Sequence, residues 1–246
     1  MRLQYLVYIM VLGCCLSCQQ SQQQSQQVLQ KPIKVSSTKD SLVVKTKREP
    51  HFQLYTQQEQ EQFTDSSFVL IRKIDSTFTY DIKYATTDNF LKEQVYDCDE
   101  CLLRYATVKQ LLKAHKDFKQ LGYRIQFFDC YRPLSIQEKM WQKFPDKRYV
   151  ADPKKGSNHN RGTAVDITLV DSLGNVLEMG TTFDHFGVKA HHAYSHLPKQ
   201  TLKNRQLLKS VMESHGFWSI TSEWWHYNLN ASYRYSISDF KTACDD

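Results

Sequence analysis

Two short segments, far apart in the sequence, carry side chains that bind metal ions and move protons. The first contains His159 and Asp166. The second contains Glu223 and His226. A catalytic zinc ion usually takes three protein ligands and keeps one position for water, whose pKa then falls to about 7. His159, Asp166 and His226 supply that number of ligands, so the sequence predicts one zinc site with Glu223 left free beside it.

A carboxylate that is not a metal ligand suits peptide hydrolysis. A base must take a proton from the attacking water and an acid must give one to the departing amine, and we expect Glu223 to do both. The carbonyl oxygen becomes negative during the attack, and a fixed cation stabilises it more strongly in a partly dry site than in bulk water. Arg132 lies before Pro133, which ends a predicted strand, and is therefore the candidate cation.

Each of these residues taken alone also has an ordinary structural interpretation. A single histidine such as His159 is more often a core or surface residue than a metal ligand, and the adjacent Trp224 and Trp225 would usually be core aromatics. Cys130 beside Arg132 is an alternative nucleophile, because cysteine enzymes need only a nearby histidine in space. The zinc set is the more complete arrangement, and we favour it over a cysteine nucleophile.

Four further histidines lie close together in the sequence, and a second metal site there is another alternative. They are His185, His191, His192 and His196. Because they follow the turn-like residues Gly180, Thr181 and Thr182, we expect them instead in a mobile loop that covers the substrate.

The periodicity of the chain predicts the elements that must position these residues. Apolar residues at helical intervals predict helices over residues 102–121, 135–144 and 202–215. Alternating or aromatic runs predict strands within residues 65–84, 123–128, 163–170 and 217–229. In these strands Asp166 lies opposite the apolar face, and Trp224, His226 and Asn228 share one face. Separate helices and short strands indicate an α+β fold.

Five ordered segments, including the two described first, together resemble the D-alanyl-D-alanine dipeptidases of the VanX type. They are residues 81–90, 129–133, 157–166, 179–184 and 223–226. The resemblance implies the fold shared with D-alanyl-D-alanine carboxypeptidases and the hedgehog signalling domain. It is an α+β single domain with a central antiparallel sheet and flanking helices. The activity implied is zinc-dependent hydrolysis of the D-alanyl-D-alanine dipeptide.

The resemblance also implies roles for individual residues. By position, His159, Asp166 and His226 bind one zinc ion. Glu223 is the general base and acid, and Arg132 stabilises the tetrahedral intermediate. These implied roles agree with the roles inferred above from residue types.

Both charged ends of a dipeptide have an implied partner. Asp184 meets the free ammonium group, Ser157 lies near the carboxylate, and Tyr84 lines the pocket. Recognition of both ends explains a preference for a free dipeptide. Two alternatives remain: a carboxypeptidase or endopeptidase that acts on peptidoglycan stem peptides, and a non-catalytic zinc-binding domain that recognises the cell wall. Retention of both Glu223 and Arg132 argues against the non-catalytic domain.

Residues 1–18 have the pattern of an export signal. Arg2 is followed by a mostly apolar, uncharged stretch that is short for a membrane span. Cys18, preceded by a serine, resembles the acylated cysteine of a bacterial lipoprotein signal, and Cys14 is a competing position. An uncleaved anchor is the alternative. Either interpretation predicts an exported protein, periplasmic or lipid-anchored to a membrane.

The rest of the chain divides into two regions that differ in composition. Residues 19–62 are rich in Gln, Ser, Lys and Thr without sustained periodicity, which predicts a disordered tether. Residues 63–246 form the predicted zinc peptidase domain. The net charge of +6 is scattered among acidic residues instead of forming one basic block, so we expect no nucleic acid partner.

Four cysteines follow the tether, and their even number suits two disulfides in an oxidising compartment. They are Cys98, Cys101, Cys130 and Cys244. Three pairings are possible and the sequence does not choose among them. Cys98 and Cys101 form a CxxC, but a zinc knuckle needs a second such pair, so we favour disulfides or free thiols over metal ligands.

Overall fold

The computed structural model describes residues 53–241 and Cys244, and this part of the chain has the predicted α+β architecture. The α-helices are α1 (Gln57–Glu61), α2 (Tyr105–Gln120), α3 (Leu134–Lys143) and α4 (Lys199–Ser214). The strands are β1 (Phe68–Leu70), β2 (Thr79–Tyr80), β3 (Leu102–Arg104), β4 (Arg124–Asp129), β5 (Ala164–Val170), β6 (Phe217–Ser219) and β7 (His226–Leu229).

Five of these strands form the sheet that carries the site, in the order β2-β4-β5-β7-β6. The pairing is antiparallel throughout except between β2 and β4, which are parallel. Strands β1 and β3 form a separate antiparallel pair. The central strand β5 is buried along its whole length, and helices α2 and α4 pack against the sheet. Strand β5 therefore presents side chains into the core on one face and into an enclosed site on the other.

Two of the predicted elements differ in detail from the structure. Residues 102–104, predicted as the start of a helix, form strand β3 because they pair with β1 before the chain turns into α2. Trp224 was expected on one strand face with His226 and Asn228, but β7 begins only at His226. A turn over residues 221–225 precedes β7, and the indole of Trp224 donates instead to the Thr181 hydroxyl at 2.7 Å.

The end of the predicted tether is also structured. Helix α1 lies within the last residues of the 19–62 segment and begins at a capping box formed by Thr56 and Glu59. The backbone N–H of Tyr55 donates to the Lys73 carbonyl at 2.7 Å, which ties this stretch to the fold. Ordered structure thus begins before residue 63. The predicted signal, its acylated cysteine and most of the tether lie outside the described residues.

Among the helices that the structure describes, none has the length and apolar content needed to cross a membrane.

The four body cysteines form two disulfides, Cys98–Cys244 and Cys101–Cys130. The two cysteines of the CxxC therefore bond to different partners, and neither binds a metal. Because its sulfur is in a disulfide, Cys130 is excluded as the catalytic nucleophile.

Gly162 ends the 3₁₀ turn formed by His159–Arg161, directly before β5. Its φ of +69° is a backbone conformation that favours glycine, and an added Cβ would lie 2.4 Å from Cε1 of Phe68. Its carbonyl accepts hydrogen bonds from the Arg104 backbone at 2.9 Å and the Thr107 hydroxyl at 3.0 Å. These contacts fix the entry of the chain into β5.

We expect Gly162→Ala to lower the free energy of unfolding by about 2–4 kcal/mol, because the left-handed backbone and the clash with Phe68 both oppose it. Gly174→Ala is the matched control, since Gly174 has φ +88° but open space around the added Cβ. The control substitution should lower the free energy of unfolding by only about 1–2 kcal/mol, from the left-handed backbone alone. Urea unfolding of both variants measures the difference, and equal losses would show that packing against Phe68 does not matter.

Candidate functional site

The three predicted metal ligands converge at the middle of the sheet. Asp166 on β5 lies directly opposite His226 on β7 in the antiparallel register, and His159 comes from the 3₁₀ turn before β5. Nε2 of His159 lies 3.2 Å from Nδ1 of His226 and 3.4 Å from Oδ1 of Asp166. Nδ1 of His226 lies 2.9 Å from the same oxygen. Three potential ligand atoms thus form a compact triangle.

The outward nitrogen of each imidazole is held by an acceptor. Nδ1 of His159 donates to the Cys130 carbonyl at 2.7 Å, and Nε2 of His226 donates to Oδ1 of Asn228 at 3.0 Å. The Asn158 amide donates to this same Asn228 oxygen at 2.8 Å, which fixes it as the acceptor. Each ring in its neutral form therefore turns a lone pair toward the other ring and toward Asp166. Such orientation of the second nitrogen is typical of metal-binding histidines.

The donor set and its spacing fit zinc. Bonds of 2.0–2.1 Å in a tetrahedral shell place neighbouring ligand atoms about 3.3 Å apart, close to the separations found here. Burial alone would raise the pKa of Asp166, but the imidazoles of His159 and His226 lower it below its ordinary value, so the carboxylate is anionic. Two neutral imidazoles and one carboxylate suit a divalent cation. No other group of three such side chains has this spacing in the described residues.

All the predicted site residues line one cavity of about 340 Å³. They are Tyr84, Arg132, Ser157, His159, Asp166, Asp184, Glu223 and His226. A cavity of this size accepts a small ligand. The structure therefore brings together, from the five segments named above, every predicted site residue.

Arg132 is held by partners on two sides. Its Nε and Nη2 atoms donate to Oδ2 of Asp129 at 3.1 and 2.5 Å, and Nη1 donates to Oε1 of Gln137 at 2.8 Å. The guanidinium lies 5.3 Å from the centre of the Tyr84 ring, on the wall of the cavity. A buried arginine fixed in this way is a preorganised cation.

Asp129 contacts the candidate site, although the sequence analysis gave it no role. Besides Arg132, its carboxylate accepts from the Tyr96 hydroxyl at 2.7 Å and the Cys130 backbone N–H at 2.9 Å. It also lies 3.6 Å from Nδ1 of His159. One fully buried carboxylate therefore supports both the candidate cation and a candidate metal ligand. The only signal available was its place in the Asp129–Pro133 segment.

Asp184 occupies a strained backbone position beside Tyr84. Its φ is +55°, rare for a residue other than glycine, and such strain is common at functional sites. The Tyr84 hydroxyl donates to Oδ2 of Asp184 at 2.8 Å. Burial, with the nearby Asp166 charge, raises the pKa of Asp184 to about 8. Among the described residues, no basic side chain forms an ion pair with this carboxyl.

Glu223 is the second carboxyl of the cavity with an altered proton affinity. Burial raises its pKa to about 8, and the Asp166 and Asp184 carboxylates add to the effect of burial. A carboxyl with a pKa near the working pH can both accept and release a proton. Perturbed carboxyls that line one cavity are typical of active sites.

Ser157 contributes to the shape of the metal site. Its hydroxyl accepts a hydrogen bond from the His159 backbone N–H at 3.1 Å, and its own N–H donates to Oδ1 of Asn160 at 2.6 Å. Ser157 therefore stabilises the turn that carries His159 while its side chain borders the cavity.

The four clustered histidines lie elsewhere. None of them lines the cavity, and in the part of the chain that is described they form no metal-binding group. Their loop is held by the guanidinium of Arg205, which donates to the carbonyls of Met179, Lys189 and His191. The structure therefore does not place these histidines on the wall of the cavity, and their covering of a substrate stays a prediction.

The raised pKa of Asp184 predicts how the metal-free protein responds to pH. Between its unfolded pKa near 4 and its folded pKa of about 8, the folded state holds a proton that the unfolded state has lost. The free energy of unfolding should therefore fall as the pH rises from 5 to 8, by up to about 1.4 kcal/mol per pH unit from this group.

Asp184→Asn removes the titration and keeps an acceptor for Tyr84, so its stability should fall less steeply with pH than that of the parent. Denaturant unfolding of both metal-stripped proteins at four pH values measures the two slopes. Parallel slopes would contradict a raised pKa at Asp184.

Comparison with known proteins gives a consistent result. A family model described as D-ala-D-ala dipeptidase matches residues 64–243. A D-alanyl-D-alanine dipeptidase of Escherichia coli K12 is 37% identical over 164 residues, covering 67% of this chain and 85% of that protein. A D-alanyl-D-alanine dipeptidase of Enterococcus faecium is 32% identical over 198 residues, covering 70% of this chain and 96% of that protein.

A weaker structural similarity was found to the zinc-bound vancomycin resistance D,D-pentapeptidase VanY. The identity is 14%, the TM-score is 0.36, and the match covers 54% of this chain and 75% of that chain.

Proposed function

We propose a zinc-dependent mechanism for this chain, which belongs to the family of D-ala-D-ala dipeptidases. In this mechanism one zinc ion, held by His159, Asp166 and His226, serves the hydrolysis of the dipeptide. The observation that carries this proposal is the triangle of ligand atoms, 2.9 to 3.4 Å apart, whose lone pairs are directed inward by the second-nitrogen hydrogen bonds. When bound, zinc supplies a Lewis acid that polarises the peptide carbonyl and makes water more acidic.

Glu223 is the proton carrier of the proposed reaction. It takes a proton from the water that attacks the peptide carbon and later gives a proton to the departing amine. In the metal-free cavity burial raises its pKa to about 8, and a bound divalent cation would lower that pKa toward neutrality, where both forms are populated. The water adds to the carbonyl, the peptide bond breaks, and two alanine molecules leave.

Arg132 stabilises the negative oxygen that develops during the attack. Its hydrogen bonds to Asp129 and Gln137 hold the guanidinium in place before the substrate arrives, so little reorganisation is needed in the transition state. Burial strengthens the interaction because little water is present to screen it.

Substrate selection depends on the ends of the dipeptide. Asp184 faces the cavity beside Tyr84 and, once an ammonium group arrives, its pKa falls and the carboxylate forms an ion pair. Ser157, which also lines the cavity, receives the carboxylate end. A peptide with an acylated amine offers no charge to Asp184 and leaves this buried carboxyl with the Tyr84 hydroxyl but without a cationic partner, which disfavours stem peptides.

We also propose that the chain is exported and lipid-anchored, acting in the periplasm or at a membrane surface. The signal-like residues 1–18, with Cys18 as the acylated residue, support this location. Two disulfides in the folded part are consistent with an oxidising compartment.

We expect Glu223→Ala to reduce kcat for D-alanyl-D-alanine by at least about 100-fold, because the proton carrier is lost, while the zinc content stays near one ion per chain. Turnover and metal analysis of the same purified protein give the two values. His159→Ala is the matched comparison and should lose both zinc and activity. Unchanged turnover in Glu223→Ala would remove Glu223 as proton carrier, and loss of its zinc would make Glu223 a ligand.

We expect Asp184→Ala to lower kcat/KM for D-alanyl-D-alanine by about 10- to 100-fold. This factor corresponds to the loss of one charge-assisted hydrogen bond to the substrate ammonium group. The measurement is repeated with N-acetyl-D-alanyl-D-alanine, which lacks that charge. The parent should cleave the acetylated peptide poorly, and the substitution should not reduce this rate further. An enzyme that acts on stem peptides would instead cleave the acetylated peptide well in both forms.

A further inference from the structure

The backbone between Asp129 and Arg132 supports the candidate metal centre directly. The Cys130 carbonyl accepts the Nδ1–H of His159 at 2.7 Å. The Arg132 backbone N–H donates to the His159 carbonyl at 3.2 Å, and the Arg132 carbonyl accepts from Nδ2 of Asn160 at 2.8 Å. The position of this segment therefore sets the position and the tautomer of a metal ligand.

The same segment is covalently tied to the neighbouring small sheet. Cys130 follows β4 of the main sheet, whereas its disulfide partner Cys101 directly precedes β3 of the two-stranded sheet. Cys101 is fixed there, since its carbonyl accepts from the Ile71 backbone N–H at 3.1 Å. Both cysteines are almost fully buried, with 1% and 2% of their surface exposed. The disulfide thus links Cys130, and with it the Cys130 carbonyl, to a residue whose position in the fold is fixed.

We propose that the Cys101–Cys130 disulfide is a positioning element of the metal centre, and that its formation raises the affinity of the site for zinc. This inference rests on the proposed zinc site. Outer partners that orient a metal-binding histidine typically change metal affinity by about 10- to 100-fold when they are lost. Linkage requires the reciprocal effect, so zinc must favour the disulfide by the same factor.

The chemistry is a thiol–disulfide exchange. The two thiols lose two protons and two electrons to a disulfide oxidant, whose S–S bond breaks to give two thiols as the Cys101–Cys130 bond forms. Because both sulfurs are buried, the folded protein shields the bond, and its state is set while the chain folds. A chain folded among reducing thiols has a loosely held His159 and binds zinc weakly; oxidation completes the site.

The test compares two disulfides in the full chain. The double variant Cys101→Ala/Cys130→Ala removes the proposed positioning bond. Cys98→Ala/Cys244→Ala is the matched control, since it removes the same number of sulfur atoms at a disulfide outside the Asp129–Arg132 segment. The zinc affinity of each metal-stripped protein is measured by competition with a chelating dye, and His159→Ala measures zinc bound elsewhere in the chain. Thermal unfolding checks that each variant is folded.

We expect Cys101→Ala/Cys130→Ala to bind zinc about 10- to 100-fold more weakly than the parent, and the control to bind like the parent. A folded double variant with parental affinity overturns the inference and leaves the proposed function intact. A parent that binds zinc no better than His159→Ala overturns the proposed metal site and this inference with it.

A second measurement needs no variant. The reduced parent is refolded from denaturant in buffers of defined dithiol-to-disulfide ratio with and without zinc, and differential alkylation with peptide mass spectrometry gives the bonded fraction of Cys101 and Cys130. Zinc should raise the dithiol-to-disulfide ratio at which half of the Cys101–Cys130 bond is formed by 10- to 100-fold, which corresponds to about 30–60 mV. An unchanged midpoint overturns the inference, even if the double variant fails to fold.

Discussion

Three electron-pair donors lie within 3.4 Å of one another at the centre of the sheet, and this arrangement is repulsive unless a cation or a proton lies among them. The register of β5 and β7 creates the crowding, because it sets Asp166 directly opposite His226. Much of the surrounding structure maintains it, through the turn that brings in His159 and the acceptors that hold both outer nitrogens. The pairing of two strands therefore creates the crowded donor set of the candidate metal site.

The cavity concentrates carboxyl groups whose environments differ. Asp166 is kept anionic by two imidazoles, whereas burial raises the pKa of Asp184 and of Glu223 to about 8. Asp129, fully buried, accepts hydrogen bonds from Arg132, Tyr96 and the backbone of Cys130. Environment alone therefore gives one functional group several different proton affinities and hydrogen-bonding patterns in and around a single cavity.

The sequence predicted the local elements well because their patterns are short-range. The alternation in β5 and the helical spacing in α2 are properties of neighbouring residues, and the side chains of the site could be selected by type and segment. The boundary of α2 was wrong because its first residues pair with β1, a contact that no local pattern encodes. Tertiary contacts also decided the placement of Trp224 outside a strand.

Three features of the structure could not have been predicted from the sequence, for one shared reason. They are the disulfide pairing, the support given by Asp129 and the inward lone pairs of the histidines. Each depends on distances between segments that are remote in sequence, such as the contact between His159 and the Cys130 carbonyl. Residue types limited the possible ligands, but only the fold fixes which nitrogen of each ring is free.

Gly162 limits how this site can vary. Between His159 and Asp166 the chain completes a 3₁₀ turn, passes through one left-handed residue pressed against Phe68, and enters a strand whose register is already set. One residue added or removed here would rotate Asp166 to the opposite face of the sheet, into the apolar core. The number of residues between these two candidate ligands is therefore fixed by the fold, and insertions or deletions are tolerable only in loops outside residues 159–166.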